Sequence, residues 1–255
     1  MGFGRQTSLC LEERFHTLQY MRLLENITLL GVDCVDINRL ILAAEICCKD
    51  FQFADVKLLT SLPSNHKNVI PIPAISSIQA YSQFMISDIG NFINSEFVLI
   101  IQHDGFILNP NAWSDQYLNY DYIGAPLWWK KKGFIVGNGG FSLRSKKLLT
   151  ALQQLGENVD LDGEPEDWFV SVNKRPCLES RGIKFAPVEV ARQFSFEGNE
   201  AEGIKWNNQF GFHGLKWTDI SKWLKAHPEY KIENPLDNWA LGMREKFKEN
   251  YNTNE

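Results

Sequence analysis

No run of about 18 apolar residues occurs in this chain of 255 residues, so no transmembrane helix is expected. The opening stretch, MGFGRQTSLCLEERFHTLQYM, lacks the apolar segment of a secretory signal. Gly2 suggests myristoylation, but Gln6 stands where that motif needs Ser or Thr. Cysteine is scarce: Cys10, Cys34, Cys47, Cys48 and Cys177 are odd in number and form no CxxC pair. Free buried thiols in a reducing compartment account for them, and the expected location is cytoplasmic, with peripheral membrane contact left open. Basic charge is also short. The 26 Lys and Arg face 31 Asp and Glu, for a net charge of −5, and the clear basic run is Lys130-Lys131-Lys132. A nucleic-acid binder normally carries a basic face, so that class of partner is excluded. Neither a GxGxxG fingerprint nor a P-loop Lys-Ser/Thr pair is present. There is no internal repeat, low-complexity tract or dividing linker.

What is present suits one large α/β domain or a compact core with a tail: 44% of residues are hydrophobic and 22% charged. Eight Trp, seven Tyr and seventeen Phe are many for this length. Such rings fill cores, and their faces also stack on sugar rings. Residues 1–26 are charged and mixed and read as a helical arm or extension. Ile27 to Val32 reads as a strand ending at Asp33. A helix follows, with Asp36 as N-cap and Ile37, Leu40, Ile41, Ala44 and Cys48 on one stripe. Val56 to Thr60 is a second strand, and Ser61 to Pro73 a loop. Ile78, Tyr81, Met85, Ile89 and Phe92 repeat at helical spacing. Phe97 to Ile101 is apolar on both faces, the mark of a central strand in a covered sheet. Alternating strands and helices predict an α/β fold with a mostly parallel, Rossmann-like sheet flanked by helices. Short strands are expected at Tyr122 to Gly124 and Phe134 to Val136, and helices near 145–155, 217–226 and 238–250.

Four segments carry candidate chemistry. The central strand runs into Gln102-His103-Asp104-Gly105, and in open α/β sheets ligands bind beyond the carboxyl ends of strands. An Asp there can hold a hard divalent cation; it can also simply cap a turn. Gly137-Asn138-Gly139-Gly140-Phe141-Ser142-Leu143-Arg144 follows a strand with three glycines in four positions, which suits close approach to a bound group. Gly163-Glu164-Pro165-Glu166-Asp167-Trp168 concentrates carboxylates. They either favour a helix N-terminus or supply a general base. Phe210-Gly211-Phe212-His213-Gly214 sets a His among glycines and aromatics, as a structural residue or a metal ligand.

In this order, the four segments resemble GT-A-fold glycosyltransferases. Gln102 to Phe106, Asp121 to Pro126 and Gly137 to Arg144 look like a family of uncharacterised GT-A-like proteins, a similarity running from about Ile27 to Trp217. The resemblance implies a single GT-A-like domain over 27–235, followed by a C-terminal helix and tail at 236–255. It also implies residue roles. Asp104 matches the last acid of the DxD metal motif, and Gln102 departs from it where the first Asp belongs, which bears on metal affinity and choice. Gly139 and Gly140 match the loop beside the donor sugar. Glu166-Asp167 matches the xED motif, whose Asp is the general base of inverting members. His213 matches the C-terminal His at the metal and diphosphate, and Asp33 falls where such folds hold the nucleotide. His103 and Arg144 are added as donor-side candidates.

The implied activity is a metal-dependent, hexosyltransferase-like glycosyl transfer from a nucleotide-diphosphate sugar, a UDP-sugar first, to a hydroxyl of a glycan or other acceptor. Mn²⁺ or Mg²⁺ would be held by Asp104 and His213. Trp128 and Trp129 are candidates for an acceptor-stacking wall or for the core. Two other readings stay open: a non-catalytic nucleotide-sugar-binding module and a metal-dependent phosphoester hydrolase.

Overall fold

The structure, a computed structural model, describes residues 21–127, 136–155, 161, 163–198 and 204–232. The pair Trp128 and Trp129, the Lys130–Lys132 run, most of the 134–136 strand and the 238–250 helix lie outside these residues, as do the first 20 residues of the expected arm. The fold is mixed α/β, with a mostly parallel six-stranded sheet flanked by helices, as the alternating pattern predicts.

The strands are β1 (Arg22–Val32), β2 (Phe51–Thr60), β3 (Val69–Pro71), β4 (Phe97–Ile101), β5 (Tyr122–Gly124) and β6 (Ser142–Ser145). Their order across the sheet is β3-β2-β1-β4-β6-β5. The pairs β2–β3, β1–β2 and β1–β4 are parallel, whereas β6 runs antiparallel to both β4 and β5. The strand order reverses between β1 and β4, the switch point at which such sheets bind ligands. Gly31 pairs with Ile101, so Asp33 and Gln102 leave the sheet at neighbouring carboxyl ends.

The β4 pattern explains itself in two layers. Leu99 and Ile101 pack into one buried cluster with helix α1 (Ile37–Cys48), including Leu40, Ala44 and Cys47. Val98 and Ile100 face a second cluster on the other side, with Met85 of α2 (Ile78–Ser87) and Leu149 of α3 (Lys146–Gln153). Each such side chain contributes about 1.5–3 kcal/mol on burial, so a strand apolar on both faces belongs in the middle. Asp36 caps α1 as expected, its carboxylate accepting from Asn38 N.

Three local expectations need correction. β1 starts at Arg22, so residues 22–26 belong to the sheet rather than to a helical arm. Pairing of Arg22, Leu23 and Leu24 with Phe51, Gln52 and Phe53 holds this polar half of the strand. The Ser61 to Pro73 loop contains β3, paired with the end of β2. The thiols are not uniformly buried: Cys47 is buried, Cys34 and Cys48 are half-buried, and Cys177 is exposed. Among the described residues, no helix is long and apolar enough to cross a membrane.

Candidate active site

The turn after β4 closes tightly, with Gln102 and Gly105 exchanging backbone hydrogen bonds of 3.2 and 3.0 Å. A distant segment is clipped onto it. Strands β7 (Ser195–Phe196) and β8 (Gly211–Phe212) pair in parallel, and Gly214 N donates to Asp104 O at 2.7 Å. His213, immediately after β8, is thereby brought to Asp104. Its Nε2 lies 3.7 Å from Asp104 Oδ1 and 3.1 Å from Gln102 Oε1. His103 Nδ1 is also 3.7 Å from Asp104 Oδ1, and burial lowers the His103 pKa below its ordinary value. Asp104 Oδ1 is buried and has no hydrogen-bond partner among the described residues.

This arrangement fits a divalent cation. No three His, Cys, Asp or Glu side chains gather as a metal cluster among the described residues. The third donor is instead the Gln102 amide oxygen, turned toward His213 because its Nε2 donates to the Tyr81 hydroxyl at 2.8 Å. Two ligands about 2.1 Å from one Mg²⁺ at a right angle are about 3.0 Å apart. The Gln102–His213 separation of 3.1 Å is close to that value, and the Asp104–His213 separation of 3.7 Å would have to close by about 0.7 Å. The orphaned Oδ1 is the atom such a cation would satisfy.

On its other side, the His213 ring meets residues the sequence did not single out. Asn138 Nδ2 lies 3.0 Å from His213 Nδ1 and donates to Glu197 Oε2 at 2.7 Å. Asn138 Oδ1 accepts from Gly140 N at 3.1 Å, which fixes the amide's orientation. Glu197 Oε1 lies 3.6 Å from His213 Nδ1 and accepts from Trp217 Nε1 at 2.6 Å. Burial alone would lower the imidazole's pKa, but Asp104 and Glu197 overcome it and push it up to about 9. The carboxylates favour a charged ring, whereas the amide donor facing Nδ1 favours a neutral one. In both states Nε2, facing the Gln102 amide oxygen, carries a proton.

The glycine loop fills the remaining space. A Cβ on Gly140 would lie 2.1 Å from His213 Nε2, and one on Gly139 would lie 2.5 Å from Glu166 Oε1. Gly139 N donates to Asp167 Oδ2 at 3.1 Å, tying the loop to the acidic segment. Asp167 opens a short helix, α4 (Glu166–Trp168), and is half-buried. Burial, then the neighbouring Glu166 charge, push its pKa up to about 7.

Glu166 and Arg144 sit behind this face. Arg144 is fully buried; its Nη2 reaches Glu166 Oε1 at 3.1 Å and Gly139 O at 3.3 Å, and its guanidinium lies over the Tyr122 ring. In this geometry both hold the loop and the start of α4 from behind, and Arg144 Nη1 is left without a hydrogen-bond partner among the described residues. Asp33 is buried at the end of β1. Its carboxylate takes Arg39 Nε at 2.7 Å and the N–H groups of Val35 and Asp36. Burial opposes its charge, but these partners hold its pKa below the usual carboxylate range.

Of the expected residues, Asp104, His213, Gln102, Gly139, Gly140 and Asp167 form one connected patch. His103 borders it through Asp104, Asp33 lies at the adjacent strand end, and Glu166 and Arg144 support it from behind. Asn138 stood inside a quoted motif, but nothing in the sequence gave it a role. Glu197, a Glu before Gly in an aromatic stretch, carried no signal at all.

A family profile described as a protein of unknown function (DUF5672) matches residues 66–213, more than half of the chain. The chain belongs to this family. The matched span holds Gln102 to Asp104, the glycine loop and Asp167, and ends at His213. No curated protein matches the chain in sequence. Among solved structures, the family member is similar to the apo-form glycosyltransferase GlyE of Streptococcus pneumoniae TIGR4. Identity is 14% and the TM-score 0.50, over 88% of this chain and 64% of that one. That likeness speaks for the fold alone, and this chain spans 64% of the other's length.

Proposed function

We propose that this DUF5672 member is a glycosyltransferase that moves a hexosyl group from a nucleotide-diphosphate sugar, a UDP-sugar first, to an acceptor hydroxyl with inversion. The observation that carries the reading is the convergence of four distant segments. His213, paired with Gln102, faces the orphaned carboxylate oxygen of Asp104, the glycine loop packs on His213, and the same loop is hydrogen-bonded to Asp167. The likeness in fold to a glycosyltransferase supports it.

Asp104, Gln102 and His213 would hold Mn²⁺ or Mg²⁺, which when bound neutralises charge on the departing diphosphate. Gly139 and Gly140 let the loop close against Glu166, Asp167 and His213, and the donor sugar would lie beside that loop. Asp167 accepts the proton of the acceptor hydroxyl while that oxygen bonds to the anomeric carbon. The bond from that carbon to the diphosphate oxygen breaks, and its electron pair leaves with the nucleotide. One displacement inverts the centre. A pKa near 7 suits such a base, because it is half-ionised at neutral pH yet still holds a proton well.

The test is a thermal-shift screen of nucleotide sugars with and without Mn²⁺, since a ligand that binds only the native state raises Tm with its occupancy. One donor should stabilise the protein specifically, and only with the cation, and should then be hydrolysed slowly without acceptor. Inorganic phosphate released from simple esters, with no nucleotide-sugar response, would instead identify a phosphoesterase. A cation-dependent shift without any hydrolysis or transfer would mark a binding module.

A further inference from the structure

A cavity of about 1060 Å³ borders the patch at Glu197; Asp104, Asp167 and His213 do not line it. Pockets of about 300–1,000 Å³ take drug-sized ligands, so this one has room for several sugar rings. Its wall carries five side-chain amides, from Asn111, Gln193, Asn207, Asn208 and Gln209. An amide offers donors and an acceptor together, the complement of a sugar hydroxyl.

Two observations connect this cavity to transfer. Its wall includes β7, which runs into Glu197, while the paired β8 runs into His213. The inner end of the cavity is therefore the carboxylate that binds Asn138 and Trp217 beside His213. The second observation is Ser195, which lines the cavity. Its Oγ is buried without a hydrogen-bond partner among the described residues. A buried hydroxyl left unpaired is costly; Ser195 is 0% exposed, so it lies just behind the cavity wall and meets a ligand hydroxyl once that wall shifts to admit it. The charge distribution narrows the ligand further. Arg192 and Lys205 are exposed, and among the described lining residues no buried cation stands at the inner end to pair an anionic sugar; the buried group there is the hydrogen-bonded Glu197 carboxylate.

We infer that this cavity is the acceptor subsite and that the acceptor is a neutral oligosaccharide. The inference rests on the transferase reading above and names its second substrate. The bond changes are those already described, with the attacking hydroxyl on the oligosaccharide end nearest Glu197.

Binding to immobilised glycans, neutral and acidic, from monosaccharide to hexasaccharide, tests it without requiring transfer. The full chain should bind at least one neutral oligosaccharide roughly tenfold better than its monosaccharide. Gln193→Ala combined with Asn207→Ala, both at exposed positions outside the transfer patch, should weaken that binding by roughly tenfold or more. The same variant should keep the nucleotide-sugar thermal shift of the wild type. No binding to any neutral oligosaccharide, binding confined to acidic glycans, or binding unchanged in the double variant overturns the inference. Cavity-dependent glycan binding with no response to any nucleotide sugar overturns the transferase reading instead and leaves the cavity a glycan site.

Discussion

Gly140 and His213 occupy one space: a β-carbon on Gly140 would lie 2.1 Å from His213 Nε2 and 2.2 Å from Cδ2. The glycine is required by contact rather than by backbone conformation, since Gly140 is not among the positive-φ glycines. Gly140→Ala must push the imidazole away from Gln102 and Asp104. The expected result is an overpacking cost of about 1–3 kcal/mol, with cation-dependent donor binding lost out of proportion to that cost. Thermal unfolding and calorimetry on one preparation separate the two effects. Donor binding that survives at wild-type affinity would show that His213 does not act in the site.

The Gln102 amide stands where a second carboxylate would add negative charge. Gln102→Glu keeps the reach of the side chain and the oxygen facing His213. We expect Mn²⁺ affinity to rise by roughly tenfold, within the range over which ligand charge tunes cation sites, and Asp104→Asn to lower it. Because Nε2 carries a proton before the cation arrives, binding should release that proton and tighten as pH rises toward 9. Calorimetry in buffers of different ionisation enthalpy reads the proton directly. Equal affinity for Mn²⁺ in all three proteins would make this turn purely structural.

Much of the frame was legible because its signals are local. Apolar residues on both faces marked β4, helical spacing marked α1 and α2, and Asp36 declared itself as a cap. The first half of β1 was not legible. Arg22, Glu25 and Asn26 read as polar extension, and pairing of Arg22, Leu23 and Leu24 with β2 carries this stretch into the strand. The site divides in the same way. Asp104 could be placed at a strand end from the pattern alone, but His213 joined it only through resemblance, since Gly214 N to Asp104 O is a contact across the chain. Arg144 looked like a cation at a loop mouth. Its burial depends on Glu166 arriving beside it, which no spacing rule contains. Glu197 reached the site the same way, from a segment with no motif.

That buried pair is itself a prediction about stability. Arg144 and Glu166 have side chains 0% and 7% exposed, 3.1 Å apart. Arg144→Met strands a buried carboxylate, which should cost about 3–5 kcal/mol. Arg144→Met with Glu166→Leu should recover most of the loss, because well-packed apolar replacements avoid the desolvation of both charges. Urea titration of the three proteins gives the comparison. A loss below about 1 kcal/mol in the single variant would mean that the pair does not hold the loop and that Glu166 is free for another role.

With Glu166 bound to Arg144, Asp167 is the carboxylate left for the proposed transfer, and a pKa near 7 would set the pH dependence of that reaction. A general base works only when deprotonated, so at saturating Mn²⁺ kcat/KM should rise with pH and level off above about 7. Stability should move the other way. The folded protein holds this proton more tightly than the unfolded chain, where Asp titrates near 3.8. Its contribution is therefore complete below that value and lost as pH climbs through 7. Asp167→Asn should remove both trends, flatten the rate profile and lower transfer by roughly a hundredfold or more. Its carbonyl oxygen can still accept from Gly139 N, so donor binding should change little. A variant that keeps the wild-type rate profile would take the proton away from Asp167 and return the search for the base to the rest of the patch.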